Sequence, residues 1–391
     1  MGYNLELKNR AWSLVEVFSA EAIELNDYMA DNPEISLEEY NSSKAIVSIL
    51  RKHNIKVEYP FAGFDTAFKG CINPDKKRRV ALLAEYDALR GLGHACGHCA
   101  SGSITVLTIL AFQEMHNQID FGIDIIGTPD EEITGVKARF ADMGIFSGYD
   151  FVAMMHMGPC SSTAVDFIAL DGTSIYFHGR AAHASSEPEK GLNAFNAARL
   201  FFDAVDMMRQ HVTKDVQLHG IIKHAGDASN IVPDFAEIEF VSRAAKRANL
   251  ETVTEWCRDC ARAAALATHT EVDIVRLGEK FNELHVSELE KKIMADCFKE
   301  IGVEFSNEIL MTGSSDIGNA DYYCPTFHPI MGIGIDKGCH TVEFADAMKT
   351  DKTHESIVLG AKYLVALVFN LYMNETLLNE LKTEHKEYRG Y

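Results

Sequence analysis

Two short stretches carry side chains able to do chemistry, at a spacing that matters. In GLGHACGHCASG, Gly91 to Gly102, the tetrapeptide Cys-Gly-His-Cys reads in two incompatible ways. As C-x-x-C, Cys96 and Cys99 form a dithiol redox pair, activated where a strand-to-helix turn aims a helix N-terminus at the thiols. As Cys96-x-His98, it is half of a metal site: thiolate and imidazole meet one ion cluster from a tight glycine-containing turn, and Cys99 need bind nothing. A third reading makes both cysteines small buried hydrophobes. In GTPDEE, Glu131 and Glu132 follow a wholly apolar run, and adjacent carboxylates at a strand end can diverge, one binding a metal while the other takes a proton from water. His156 ends a third run too apolar to leave a histidine casually solvated.

The elements that must position these groups follow from the apolar pattern. RRVALLAEYDA, FGIDIIGTPDE and YDFVAMMHMG predict buried strands around Val80 to Ala84, Ile123 to Gly127 and Phe151 to Met155. Each is followed at once by chemically able residues: Glu85 and Asp87, then Glu131 and Glu132, then His156. Ligands of open α/β sheets bind at the carboxyl ends of the strands, so the coincidence predicts one shared site. From Asp166 to about Asn282 the rhythm changes to strand (Ala169 to His178), helix (Leu192 to Val212), strand (Gln217 to Lys223), strand (Ala236 to Arg243), helix (Leu250 to Ala267), strand (Glu271 to Leu277). That βαββαβ order is the ferredoxin-like arrangement, a self-contained unit inserted into a larger domain. Leu192, Phe195, Ala198, Phe202, Val205 and Met208 give its first helix one apolar, core-facing side. Helices from His285 to Glu300 and Glu355 to Leu371 then restore the α/β pattern. The expected fold is α/β: a metal-binding domain with helices around a mixed sheet, residues 1–165 and 283–391, and an inserted α+β domain, residues 166–282.

Composition narrows the partners. A chain of 391 residues, 47% hydrophobic, can bury one large core or two ordinary ones. A formal charge of −20 argues against nucleic acid and anionic membrane surfaces, which need clustered Lys and Arg. Nine scattered cysteines are not a secreted disulfide framework and fit a reducing cytoplasm. Glu6, Lys8, Arg10 and Glu16 break the first apolar positions, so neither a signal peptide nor an N-myristoylation site is expected there. No run approaches the 18 apolar residues of a membrane span. Between the tetrapeptide readings, the dithiol leaves a histidine, a Glu pair and a further histidine at neighbouring strand ends unexplained. Thiolate, imidazole and carboxylate together suit zinc and similar divalent ions, and favour a carboxylate-rich, two-metal hydrolytic centre.

Five segments then resemble, in order, the motifs of the two-metal amidohydrolases: AEYDALRGLGHACGHCASG, IIGTPDEEITGVKARFADMGIF, FHGRAAHASSEPEKGLNAFNAA, GDASNIVPDFAEIEFVSRA and TGSSDIGNADYYCPTFHP. The group includes p-aminobenzoyl-glutamate hydrolase, the indole-acetyl-amino-acid hydrolases and aminoacylase-like carboxypeptidases. The first of these branches looks nearest, and the likeness runs from about Val80 to the C-terminal helix. It implies that the insert is a lid that also dimerises, making a homodimer. It implies Cys96, His98, Glu132, His156 and His354 as metal ligands and Glu131 as general base, with His354 presented from a turn ahead of the last long helix. Asp87 would orient a ligand, His183 in the lid would donate to the oxyanion across the dimer, and Asn230, Arg243, Asp316 and Asn319 would bind substrate. The implied cofactor is a divalent metal, two ions per subunit, zinc first and then manganese, cobalt or nickel. Two positions depart from the pattern: Cys99 where relatives carry Asp or Asn, and Arg90 where they carry Pro. The expected activity is hydrolysis of the amide of a small N-acyl amino acid, aminoacyl conjugate or dipeptide. The rival classes are a dithiol oxidoreductase on Cys96 and Cys99 and a non-catalytic ligand-binding protein on the same scaffold.

Overall fold

The computed structural model describes residues 2–309 and 311–390. It divides into two compact units, residues 1–166 with 284–391, and residues 167–283. The first unit opens with helices α1 (Gly2–Asp31) and α2 (Tyr40–Lys52), then strands β1 (Lys56–Glu58), β2 (Phe68–Ile72) and β3 (Arg79–Ala84). Helix α3 (His98–Glu114), β4 (Gly122–Gly127), α4 (Val136–Asp142), β5 (Phe151–Ala153) and β6 (His156–Gly158) follow, and β7 (Val165–Phe167) carries the chain over the boundary. The second unit runs β8 (Ala169–His178), α5 (Ala194–Met208), β9 (Gln217–His224), β10 (Phe235–Ala244), α6 (Arg247–Thr268) and β11 (Glu271–Phe281). The chain then completes the first unit with α7 (Glu288–Glu300), β12 (Met311–Gly313), a 3₁₀ segment (Asp316–Tyr322), β13 (Thr326–Phe327), β14 (Ile330–Gly332), α8 (Val342–Asp346), α9 (Asp351–Tyr372) and α10 (Glu375–Arg389).

Among the described residues, one sheet of the first unit has six strands in the order β1-β2-β4-β3-β5-β13. The inner strands β4, β3, β5 and β13 run parallel, and β1 and β2 are antiparallel additions on one edge, so the sheet is mixed. Parallel strands covered on both faces must be apolar throughout. All six residues of β4 are buried, and its one charge, Asp124, is met by Arg79, Lys69 and the Tyr149 hydroxyl. Helix α3 is buried from His98 to Phe112 and packs on α1, α9 and β3. Two glycines allow this close approach. A Cβ on Gly102 would stand 2.4 Å from the Glu85 carbonyl oxygen, and one on Gly97, at φ +82°, would stand 2.7 Å from Met157 Cβ. Helix α9 reaches a mean hydropathy of 1.3, and 72% of that stretch is buried. Its length and apolarity would let it cross a membrane, but they serve packing against α1, α3 and α7.

The second unit is a four-stranded antiparallel sheet, order β11-β8-β10-β9, with α5 and α6 closing its apolar core. This is the ferredoxin-like βαββαβ order. Helix α5 starts at Ala194 because the Asn193 side chain caps it by accepting the Asn196 N–H, so Leu192 falls outside the helix. Its buried stripe is Ala194, Ala197, Ala198, Phe201, Val205 and Met208, turned by about one residue from the expected face. Strand β11 outruns its expected end at Leu277, since an irregularity after Leu277 lets pairing with β8 resume at Phe281.

The last helix locks the first unit. The Arg389 guanidinium pairs with the buried Asp321 carboxylate and lies 3.9 Å over the Tyr322 ring. His385 Nε2 donates to the Asp321 carbonyl at 2.7 Å, and the His285 N–H donates to the Asp321 carboxylate at 3.2 Å. These contacts fix the 3₁₀ segment that carries Asp316. Arg389→Met leaves the Asp321 charge buried without its guanidinium, so the first unit should lose about 3–5 kcal/mol of unfolding free energy. Chemical denaturation followed by circular dichroism reads this directly; a loss under ~1 kcal/mol would show the pair to be dispensable.

Candidate metal centre

Asp87, just past β3, is the hub from which the site is built. It is 1% exposed. Its Oδ1 accepts from His98 Nδ1 at 2.9 Å, and its Oδ2 accepts from Ser36 Oγ at 2.9 Å and from the Glu132 N–H at 3.0 Å. One carboxylate thus ties the first residue of α3, the α1–α2 loop and the acidic loop after β4. With its Nδ1 proton committed to Asp87, His98 turns a lone pair on Nε2 inward. His156, the first residue of β6, does the same: its Nδ1 bonds the Met157 carbonyl oxygen at 2.7 Å, and its Nε2 stands 3.5 Å from Cys96 Sγ. Left-handed Gly97 lets Cys96 and His98 address one spot from its two sides.

The acidic loop turns at Asp130, a non-glycine residue at φ +61°. Buried Glu39 holds it there by accepting the Asp130 N–H at 2.9 Å. Burial and then Asp87 raise the Glu39 carboxyl to about 8. Beyond the turn the two carboxylates have different further neighbours. Glu132 Oε2 lies 3.6 Å from His340 Nε2, and Glu131 also groups with Glu85 and Asp316. His340, also left-handed at φ +66°, is fixed by its N–H donating to the Ala95 carbonyl at 2.7 Å. The ligand atoms of Cys96, His98 and His156 lie within 4.8 Å of one another, as do those of Cys96, Glu132 and His340, and those of His98, Glu131 and Glu132.

Electrostatically, the cluster wants a cation. Burial opposes protonation of His98, but Glu85 and Asp87 outweigh it and pull its pKa well above the imidazole range. Burial, with Glu85 and Asp316, drives Glu131 well above the carboxylate range. Burial brings His156 down to about 4, which leaves it neutral and able to ligate. Two buried atoms facing this cluster, His98 Nε2 and Glu132 Oε1, have no hydrogen-bond partner. Buried polar atoms are ordinarily satisfied, so these two atoms, beside a thiol and a second imidazole, fit a divalent ion that would take the place of the proton His98 otherwise holds.

Several expected residues stand elsewhere. His354 is not brought to the cluster: Thr350 caps α9 by accepting the Thr353 N–H, which places His354 in the first helical turn, where its Nε2 is 2.8 Å from Asp27 Oδ1 of α1. His340 stands at the cluster instead. Its local signal is a histidine between a Gly-Cys pair and Thr341, the N-cap of α8. Cys99 is fully buried in the hydrophobic core, where burial raises its thiol above the ordinary range, so it forms no reactive dithiol with Cys96. The thiol beside Cys96 is Cys339: Cys96 is raised first by its bond to Cys339, then by burial. Asp316 is 0% exposed and spends both oxygens on Lys137, Oδ1 on Nζ at 2.6 Å and Oδ2 on the backbone N–H at 2.9 Å, which corrects its assignment to substrate. Asn319 is buried on the same 3₁₀ segment. In the second unit, exposed His183 and Asn230 lie on adjoining loops, joined by the Ala184 N–H to the Asn230 carbonyl at 3.0 Å. His183 Nδ1 accepts the Ser185 and Ser186 N–H groups at 3.3 Å, which puts its ring proton on Nε2. Arg243, on β10, lies 3.4 Å from His219.

Comparison with known proteins places the chain in a family. Residues 81–370 match peptidase family M20/M25/M40. The chain is 28% identical to mouse Xaa-Arg dipeptidase, over 97% of this chain and 92% of that protein. It is 22% identical to a p-aminobenzoyl-glutamate hydrolase polypeptide of Escherichia coli K12, over 93% and 92%. Among solved structures, a putative aminohydrolase from methicillin-resistant Staphylococcus aureus shares the fold at TM-score 0.76 and 17% identity, over 93% of this chain and 99% of that one. A dinuclear metal-binding M20 peptidase from Bacillus subtilis does so at TM-score 0.69 and 17% identity, over 91% and 99%.

His340 and His354 should separate by metal affinity. Asp87→Asn should weaken metal binding by about 10–100-fold, as loss of a partner behind a ligand does, and His340→Ala by at least as much. His354→Ala should bind metal as the wild type does. Competition titration against a chromophoric chelator measures all three, and the opposite order for the two histidines would return the ligand role to His354.

Proposed function

The chain belongs to peptidase family M20/M25/M40, and from that premise we propose a metal-dependent amidohydrolase that cleaves the amide of a dipeptide or small N-acyl amino acid. The observation that carries this reading is the convergence of Cys96, His98, Glu132, His156 and His340, with two buried ligand atoms that have no hydrogen-bond partner. These residues would hold up to two divalent ions, zinc first. When bound, such ions supply Lewis acidity to the amide carbonyl and make water more acidic. Glu131, carried on the loop that turns at Asp130, takes a proton from the attacking water and returns it to the leaving nitrogen. His183 donates its Nε2 proton to the carbonyl oxygen as charge develops there, and in a homodimer this donor comes from the partner subunit. Arg243 pairs with the substrate carboxylate.

The likeness to a dipeptidase and to an N-acyl-glutamate hydrolase supports a substrate with a free carboxylate beside the scissile amide. A turnover screen of Xaa-Arg and other dipeptides, p-aminobenzoyl-glutamate and N-acyl amino acids, with metal analysis of protein purified without chelator, tests the reading. Within it, Glu131→Gln should keep its metal and lose ~10²–10⁴-fold in kcat, whereas Glu132→Gln should lose metal affinity. His183→Ala should lose ~10²–10³-fold in kcat with metal content unchanged. Mixing exchanged His183→Ala and Glu131→Gln subunits should restore activity; no recovery despite proven subunit exchange would rule out donation in trans.

A further inference from the structure

Beside the candidate metal ligands lies a second group of acidic side chains that the proposed chemistry uses only in part. The carboxylates of Glu85, Glu131 and Asp316 have oxygens within 4.8 Å of one another, a spacing that could hold a metal ion. Glu85 and Asp316 are almost wholly buried, and Glu85 Oε2 has no hydrogen-bond partner. The cation already among them is Lys137. Its side chain is 0% exposed, with Nζ 2.7 Å from Glu85 Oε1 and 2.6 Å from Asp316 Oδ1, while its backbone N–H grips Asp316 Oδ2 at 2.9 Å. The group adjoins the metal ligands, since Glu85 Oε2 is 3.4 Å from His98 Nε2.

We propose that Lys137 is a built-in cation filling a third cation site, Glu85/Glu131/Asp316, and that it thereby reserves Glu131 for proton transfer. This rests on reading the neighbouring cluster as a hydrolytic metal centre. Clustered buried carboxylates need a positive charge, and beside a metal centre the available one is a further divalent ion. Such an ion would take Glu131 as a ligand and occupy the lone pair that must accept the proton. An ammonium supplies charge without coordinating, and its covalent stem prevents its exchange. Held by β3, by the first turn of α4 and by the 3₁₀ segment, it also fixes the loop bearing Glu131. Lys137 is thus a positioning residue, acting through Glu131.

The test uses the full-length holoprotein. Wild type and Lys137→Met are equilibrated with a series of free Mn²⁺ concentrations, and bound ions per chain are counted by elemental analysis and by the electron paramagnetic resonance of free Mn²⁺. Lys137→Met should bind one ion more than wild type, and adding Glu85→Gln should abolish that extra ion. Its kcat should fall by about 10²-fold with KM little changed, and Mn²⁺ in excess should lower the residual activity further, whereas wild type reaches a plateau. Lys137→Arg, which keeps the charge, should keep the wild-type ion count. If the methionine variant does not fold, Lys137→Gln, which retains hydrogen bonding, takes its place in every arm. An ion count equal to wild type in the neutral variant overturns the proposal while leaving the hydrolase reading intact. A wild-type protein that binds no divalent ion overturns both.

Discussion

The site depends on one buried carboxylate. Asp87 takes hydrogen bonds from three pieces of chain far apart in sequence: Ser36 in the α1–α2 loop, His98 at the start of α3 and the Glu132 backbone after β4. Burial opposes its ionisation, yet His98, with the N–H and O–H donors around it, holds its pKa below the usual carboxylate range. That is the expected balance when a charged group loses water and gains several fixed donors. A neutral or longer side chain here would disturb the His98 tautomer, the loop holding Glu131 and Glu132, and the seat of α3 together.

Around that hub the fold brings charges to the ends of apolar strands. β3, β4 and β5 pack as parallel strands between helices, and each stops being apolar where its carboxyl end opens the crevice. Two departures from ordinary backbone sit at this edge, Asp130 and His340, both non-glycine residues in the left-handed region. Each is held by a hydrogen bond to its own N–H, from Glu39 and Ala95 respectively. Conformations of this kind persist where the surroundings determine them, and they cluster where side chains must be aimed. Here one turns the loop that bears Glu131 and Glu132, and the other turns His340 toward Glu132.

The negative charge gathered here is offset in two ways. Lys137 pairs with both Glu85 and Asp316, while the ligand cluster keeps buried atoms without hydrogen-bond partners. Glu131 and Glu132 both group with His98; Glu131 also groups with Glu85 and Asp316, and Glu132 with Cys96 and His340. The Asp321–Arg389 lock beneath the 3₁₀ segment extends the same scaffold to the C-terminal helix.

Sequence alone determined what depends on local pattern. Apolar runs bounded by charge gave β3, β4 and β5, and the alternation of the insert gave its βαββαβ order, because burial on one or both faces of a strand or helix writes itself into residue periodicity. The same reading singled out Cys96, His98, Glu131, Glu132 and His156, whose ligand atoms the fold brings near one another. Tertiary structure decided what no period encodes. A lysine between Val136 and Ala138 reads as a solvated helix face until two carboxylates from β3 and the 3₁₀ segment are seen to close on it. His340 and His354 are equivalent as letters; the Ala95 hydrogen bond and a left-handed turn bring the first to Glu132, while the Thr350 cap sends the second to Asp27. Cys99 and Asp316 went the other way, taken from the chemistry by the core and by Lys137. In each case the deciding interaction joins residues remote in the chain, and its energy comes from desolvation that exists only once the fold has closed around them.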